Sequence, residues 1–93
     1  MSIKEIYETK EVTLVDVRTP LEFQEGTIVG AINIPMNEVV AKLYELMKME
    51  PLVVFCRSGN RSEQVMHYLR NQGVEEVWNG GGWVELNAEL NQR

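Results

Sequence analysis

A lone cysteine opens the segment Cys56-Arg57-Ser58-Gly59-Asn60-Arg61-Ser62, with two arginines within five positions of it on a chain that is otherwise acidic. A thiol ordinarily ionises near pH 8.5, and backbone N–H groups, a helix N-terminus or neighbouring cations lower that value into the range of activated nucleophiles. Ser58-Gly59-Asn60 has the composition of a sharp loop, and the residues from Ser62 onward have helical spacing. A strand, such a loop and then a helix point successive N–H groups into one concavity, which stabilises an anion. If the anion is the Cys56 thiolate, the cysteine becomes a nucleophile without a histidine base. Arg57 and Arg61 add a local positive field that would draw an anionic substrate. Arg61 falls near a helix N-terminus, where the macrodipole disfavours a cation, so another interaction must offset its cost, and a substrate oxyanion or the thiolate is the expected one.

The surrounding elements must deliver that loop. Ser2 with Glu5 has capping-box spacing, and Ile3, Ile6 and Tyr7 form one face of an opening helix. Val12 to Val17 is a β-branched run that reads as a buried strand ending near Asp16. Thr19-Pro20-Leu21-Glu22 supplies a cap, a proline at the first helical position and a Glu three residues after the cap, with Gly26 as the stop. Ala31 to Ile34 reads as a short strand closed by Pro35, and Asn37 as the cap of a helix bearing Val40, Leu43, Tyr44 and Met47. Leu52-Val53-Val54-Phe55 is apolar on both faces, as a central strand requires, and Cys56 sits at its carboxyl end. A helix from Ser62 to Gln72 follows, stopped by Gly73; then come a strand from Val74 to Trp78, a loop at Gly80-Gly81-Gly82 and a closing helix from Trp83 to Leu90. Strand and helix in alternation imply a parallel sheet covered on both faces. In such sheets the site lies beyond the carboxyl ends of the strands where their order reverses, so Asp16-Val17-Arg18 and Cys56 should meet.

Composition narrows the function. The 93 residues suit one domain, and 44% hydrophobic with 25% charged residues suits an ordinary folded one. A net charge of −5 argues against nucleic acid and anionic membranes as partners. No apolar run reaches the roughly 20 residues of a membrane span, and the start has no signal-peptide pattern, so a cytoplasmic chain is expected. One cysteine can form neither an internal disulfide nor a CxxC pair nor a zinc cluster.

The Cys56–Ser62 loop resembles the active-site loop of the rhodanese family. Asp16-Val17-Arg18 with Glu22-Phe23 is similar to the family's first signature, the run from Gly26 to Pro35 to its second, and Gly80-Gly81-Gly82-Trp83 to its closing turn. The resemblance covers nearly all of residues 1–93 as a single rhodanese domain. It implies a three-layer α/β/α fold with a four- or five-stranded parallel sheet, the shorter count because the N-terminus leaves little room for the family's first strand. It also implies a thiosulfate sulfurtransferase: Cys56 takes the outer sulfur of an anionic donor such as thiosulfate as a persulfide and passes it to cyanide, a thiol or a protein acceptor. By the same resemblance Arg57, Ser58, Gly59, Asn60, Arg61 and Ser62 bind the substrate, Asp16 and Arg18 brace the loop, and no metal or organic cofactor takes part. The chain departs from the family at Thr27, where His is usual, and at Val29, where Pro is usual. Two rivals differ in kind. A cysteine phosphatase or arsenate reductase would need five residues between Cys and Arg, against the four from Arg57 to Asn60 here. A sulfur-carrier or regulatory module would hold sulfur without turning over thiosulfate. His67, Trp78, Trp83 and the tyrosines read as structural.

Overall fold

In the computed structural model, which describes residues 1–92, five α-helices and four β-strands alternate along the chain. They run α1 Ile3–Thr9, β1 Thr13–Asp16, α2 Pro20–Glu25, β2 Ile32–Asn33, α3 Leu43–Met47, β3 Leu52–Cys56, α4 Asn60–Asn71, β4 Val77–Gly82 and α5 Trp83–Leu90, with a 3₁₀ turn at Met36–Glu38 before α3. Both expected capping boxes form: Ser2 and Glu5 close on each other at α1, as do Thr19 and Glu22 at α2. The strands make one parallel sheet in the order β2-β1-β3-β4, with Asp16 of β1 in register with Phe55 of β3. The order reverses between β1 and β3, which brings Asp16 and Cys56 to the same edge of the sheet.

Alternation along the strands assigns the two faces. Val15, Leu52, Val54, Cys56 and Val77 pack with Val65, Met66 and Leu69 of α4 and Leu46 of α3. Leu14, Val53 and Phe55 pack on the other face with Leu86 of α5 and, at the rim, Ile3, Trp78 and Trp83. Every residue of β3 is fully buried, as its two-sided apolarity predicts. Cys56 therefore projects toward α4.

Three elements differ from the sequence reading. The last strand begins at Val77, not Val74, whose N–H bonds the Leu69 carbonyl in the turn after α4, and the glycine run is not a loop but the end of β4, because Phe55 and Cys56 pair with Gly81 and Gly82 through a bulge that leaves Gly80 unpaired. The helix expected from Asn37 is broken: Glu38 N–H bonds the Pro35 carbonyl at 2.8 Å in a 3₁₀ turn, and Val39 turns inward in place of Val40, which is 70% exposed. Tyr44 consequently faces out as well, and Leu46 takes the core position. Helix α4 starts at Asn60, two residues before the expected Ser62, because Gly59 already adopts the cap position.

The bulge depends on the absence of a side chain at Gly80, where a Cβ would lie 2.7 Å from Leu86 Cδ2 and 2.9 Å from Val53 Cγ1. Gly80→Ala is expected to destabilise the fold by about 1–3 kcal/mol through overpacking. Urea unfolding measures this, and an unchanged midpoint would show that Leu86 and Val53 yield without cost.

Candidate active site

Cys56 ends β3, and the chain must turn sharply to enter α4. Gly59 makes that turn in the left-handed region, at φ +96°, which a β-branched residue would resist. The turn directs the Gly59 N–H to Cys56 Sγ at 3.0 Å, while the Ser62 hydroxyl lies 3.3 Å from the same sulfur. Burial pushes the Cys56 thiol up, but the Ser62 hydroxyl and the backbone N–H groups of Ser62, Ser58 and Gly59 outweigh it, so the thiol lies below its ordinary value. Ser62 is fully buried, whereas Arg57, Ser58 and Asn60 are exposed around the mouth.

The expected site residues are thus brought to one edge of the sheet, with different partners from those anticipated. Arg61 is held by Glu22, with Nη1 donating at 2.8 Å and Nη2 at 3.1 Å to its two carboxylate oxygens. Glu22 is the direct partner that offsets the cation near the helix N-terminus, and the Cys56 charge acts in the same direction. Glu22 also completes the capping box of α2, so one carboxylate ties α2 to the start of α4. Arg57 has no carboxylate partner among the described residues. It lines a cavity of about 350 Å³ together with Arg18, Glu22, Glu25, Gly26 and Trp83.

Asp16 and Arg18 form a buried pair, 2.7 Å apart at the shortest approach. Thr27 donates to Asp16 Oδ2 at 2.8 Å, and Arg18 Nη2 donates to the Gly26 carbonyl at 2.6 Å. Thr27 therefore serves Asp16 directly. The Arg18 guanidinium lies 5.0 Å from the ring centre of Trp83, which walls the cavity in addition to packing. None of these hydrogen bonds reaches residues 57–62; Asp16 and Arg18 support the wall of the cavity that Arg57 of the cysteine loop also lines.

The loop is also braced by Asn79, which the sequence reading passed over. Its amide donates to the Gly59 carbonyl at 3.1 Å, and its Oδ1 lies 2.7 Å from Ser62 Oγ. The available signal was a polar residue two positions after Val77, on the same inward face of a strand. His67 is exposed, 3.7 Å from Glu63, and is a surface residue as read. Among the described residues no three His, Cys, Asp or Glu side chains are grouped to hold a metal, and no helix is long and apolar enough to cross a membrane.

Residues 2–89 match the Rhodanese-like domain family, and the chain belongs to it. It is 40% identical to a sulfurtransferase of Allochromatium vinosum over 83% of this chain and 72% of that one. It is 36% identical to the thiosulfate sulfurtransferase PspE of Escherichia coli over 77% of this chain and 71% of that one. The fold superimposes on a rhodanese-related protein from Thermoplasma volcanium with a TM-score of 0.79 at 29% identity, covering all of this chain and 93% of the other. It also matches reduced CoADR-RHD from Bacillus anthracis, with a TM-score of 0.76 and 32% identity over 95% of this chain, but spans only 15% of that longer chain.

The Glu22–Arg61 hydrogen bonds hold the Glu22 carboxyl down to about 2 from its ordinary 4.5. The folded value is depressed, so the stabilisation is full above pH 4.5 and is lost as pH falls toward 2. Both side chains are partly exposed, which limits the pair to about 1 kcal/mol. Glu22→Gln is expected to lose that increment at neutral pH and to flatten the acid limb of the stability profile. An acid limb identical to that of the parent would show the pair contributes nothing.

Proposed function

We propose that this protein is a thiosulfate sulfurtransferase working through a Cys56 persulfide. The observation that carries the reading is the convergence of the Gly59 N–H and the Ser62 hydroxyl on a buried sulfur at the carboxyl edge of the sheet. The Cys56 thiolate attacks the outer sulfur of thiosulfate; a sulfur–sulfur bond forms to Cys56, the bond inside thiosulfate breaks, and sulfite leaves with the electron pair. A nucleophilic acceptor then takes the outer sulfur. Cyanide gives thiocyanate and a thiol gives a new persulfide, and in each case Cys56 departs as the thiolate with its electron pair.

The N–H groups of residues 57–62 cradle the loaded sulfur, and the short loop suits one sulfur atom better than a phosphoryl group. Steering of the anionic donor falls to Arg57, since Arg61 is neutralised by Glu22. The name of the Escherichia coli relative supports thiosulfate as donor. A sulfur carrier would share the first half-reaction and differ only in turnover.

Incubation with thiosulfate should raise the intact mass by one sulfur, about 32 Da, removable by cyanide, and Cys56→Ser should abolish the gain. Loading that survives in Cys56→Ser would overturn the assignment. Loading without thiocyanate release over many cycles would identify a carrier.

Arg57→Ala should raise the KM for thiosulfate severalfold and weaken its salt dependence, while leaving sulfur transfer from a neutral persulfide donor nearly unchanged. Equal losses with both donors would show that Arg57 shapes the loop and does not steer charge.

A further inference from the structure

Ser62 has one hydroxyl proton and two neighbours that can accept it. Its buried oxygen lies 2.7 Å from Asn79 Oδ1 and 3.3 Å from Cys56 Sγ. The orientation of the Asn79 amide follows from its other partners: Nδ2 donates to the Gly59 carbonyl at 3.1 Å and to the Glu63 carboxylate at 3.2 Å, and Oδ1 accepts the Gly81 N–H at 2.9 Å. A flipped amide would set N–H against N–H at Gly81 and oxygen against oxygen at Gly59. Oδ1 therefore faces Ser62 and can only accept.

These constraints favour one arrangement for each charge state of the sulfur. With Cys56 protonated, its S–H points at Ser62 Oγ and the Ser62 proton rests on Asn79. With Cys56 ionised, the sulfur can only accept, and its charge draws the Ser62 hydroxyl to it beside the Gly59 N–H, leaving Asn79 Oδ1 with the Gly81 N–H alone. We infer that Asn79 is a positioning residue that competes with Cys56 Sγ for the Ser62 proton, and so sets how readily the sulfur becomes and remains an anion. The inference rests on the reading of Cys56 as the sulfur-bearing nucleophile. No covalent bond changes in the switch; the thiol proton leaves to solvent and the hydroxyl turns. The same rotation serves both half-reactions. When Sγ becomes the inner, neutral atom of the persulfide its demand for the proton falls and Asn79 regains it, and when Cys56 departs as thiolate the hydroxyl turns back.

Other charged groups border this cluster and do not supply the switch. Arg61 is committed to Glu22, Asp16 to Arg18 and Thr27, and Glu63 lies beyond Asn79 with His67 as its neighbour. Exposed Arg57 flanks the loop, and Glu85 of α5 stands against Gly82. Removing the Asn79 amide would free the Glu63 carboxylate, whose negative charge opposes ionisation of Cys56. A fall in the thiol midpoint on losing Asn79 would therefore occur against that charge.

The test is the pH dependence of iodoacetamide alkylation of the only cysteine, since its midpoint reads the thiol pKa. Asn79→Leu deletes the competing carbonyl with little change in volume. The midpoint is expected to fall by about one unit, a tenfold rise in thiolate fraction well below the midpoint. If Asn79 merely holds the loop together, the midpoint moves the other way, toward the unperturbed value of about 8.5, because the cradle loosens. A rise, or no shift, overturns the proposal. Asn79→Ala decides by the same criterion should Asn79→Leu fail to fold. In a Ser62→Ala background Asn79→Leu should no longer lower the midpoint, the freed Glu63 charge acting only to raise it; an equal fall there would show that the effect does not pass through Ser62 and would overturn the proposal as well. Sulfur loading measured by mass on the parent protein keeps the two readings apart. Loading with the wrong shift sinks the role of Asn79 alone, and the expected shift without loading sinks the sulfurtransferase reading.

Discussion

The cysteine loop lies backbone against backbone on the end of β4, and this close approach is the constraint on which the site depends. A Cβ at Gly82 would come within 2.7 Å of the Arg57 carbonyl oxygen, and one at Gly59 within 3.3 Å of Gly81 Cα. Without side chains at these positions the turn after Cys56 can close tightly enough for the Gly59 N–H to meet Sγ. The same proximity lets Asn79 span from β4 to the Gly59 carbonyl and to Ser62. The glycine run is therefore a structural counterpart of the loop, and the bulge at Gly80 is what brings Gly81 and Gly82 into register with Phe55 and Cys56.

Charge is distributed so that the site's cations have separate tasks. Arg18 is buried against Asp16 and Trp83, Arg61 is tied to Glu22, and Arg57 stands exposed at the mouth. A buried pair such as Asp16–Arg18 is costly to desolvate and is sustained here because Thr27, Gly26 and the Arg18 N–H satisfy its remaining hydrogen-bonding capacity. Such a pair fixes geometry more than it adds stability. It holds the segment after β1 against α5, and that segment forms the wall of the cavity beside the cysteine. On a chain of net charge −5, one exposed guanidinium at that mouth is a strong local feature.

Local patterns carried much of this in advance. Both capping boxes, the central position of Leu52–Phe55, the meeting of Asp16 and Cys56 across the β1–β3 switch point, and the sharp turn from Cys56 into a helix follow from propensity, periodicity and handedness, which act over a few residues or through general rules of connection. The proposed chemistry was legible only through the resemblance of the Cys56–Ser62 loop to the rhodanese active-site loop, since a lone cysteine between arginines admits several uses by itself.

What the tertiary structure decided were partners distant in sequence. The sequence offers Arg61 any of the chain's carboxylates, and only the tertiary placement of Glu22 on α2 selects it, 39 residues away. It offers Asn79 a turn beside glycines, and only the pairing of β4 with β3 makes that stretch a strand with the amide facing α4. The division between Val39 and Val40 likewise rests on how the 3₁₀ turn rotates the chain against the sheet. In each case the local signal is degenerate, and long-range contacts choose among states of nearly equal local free energy.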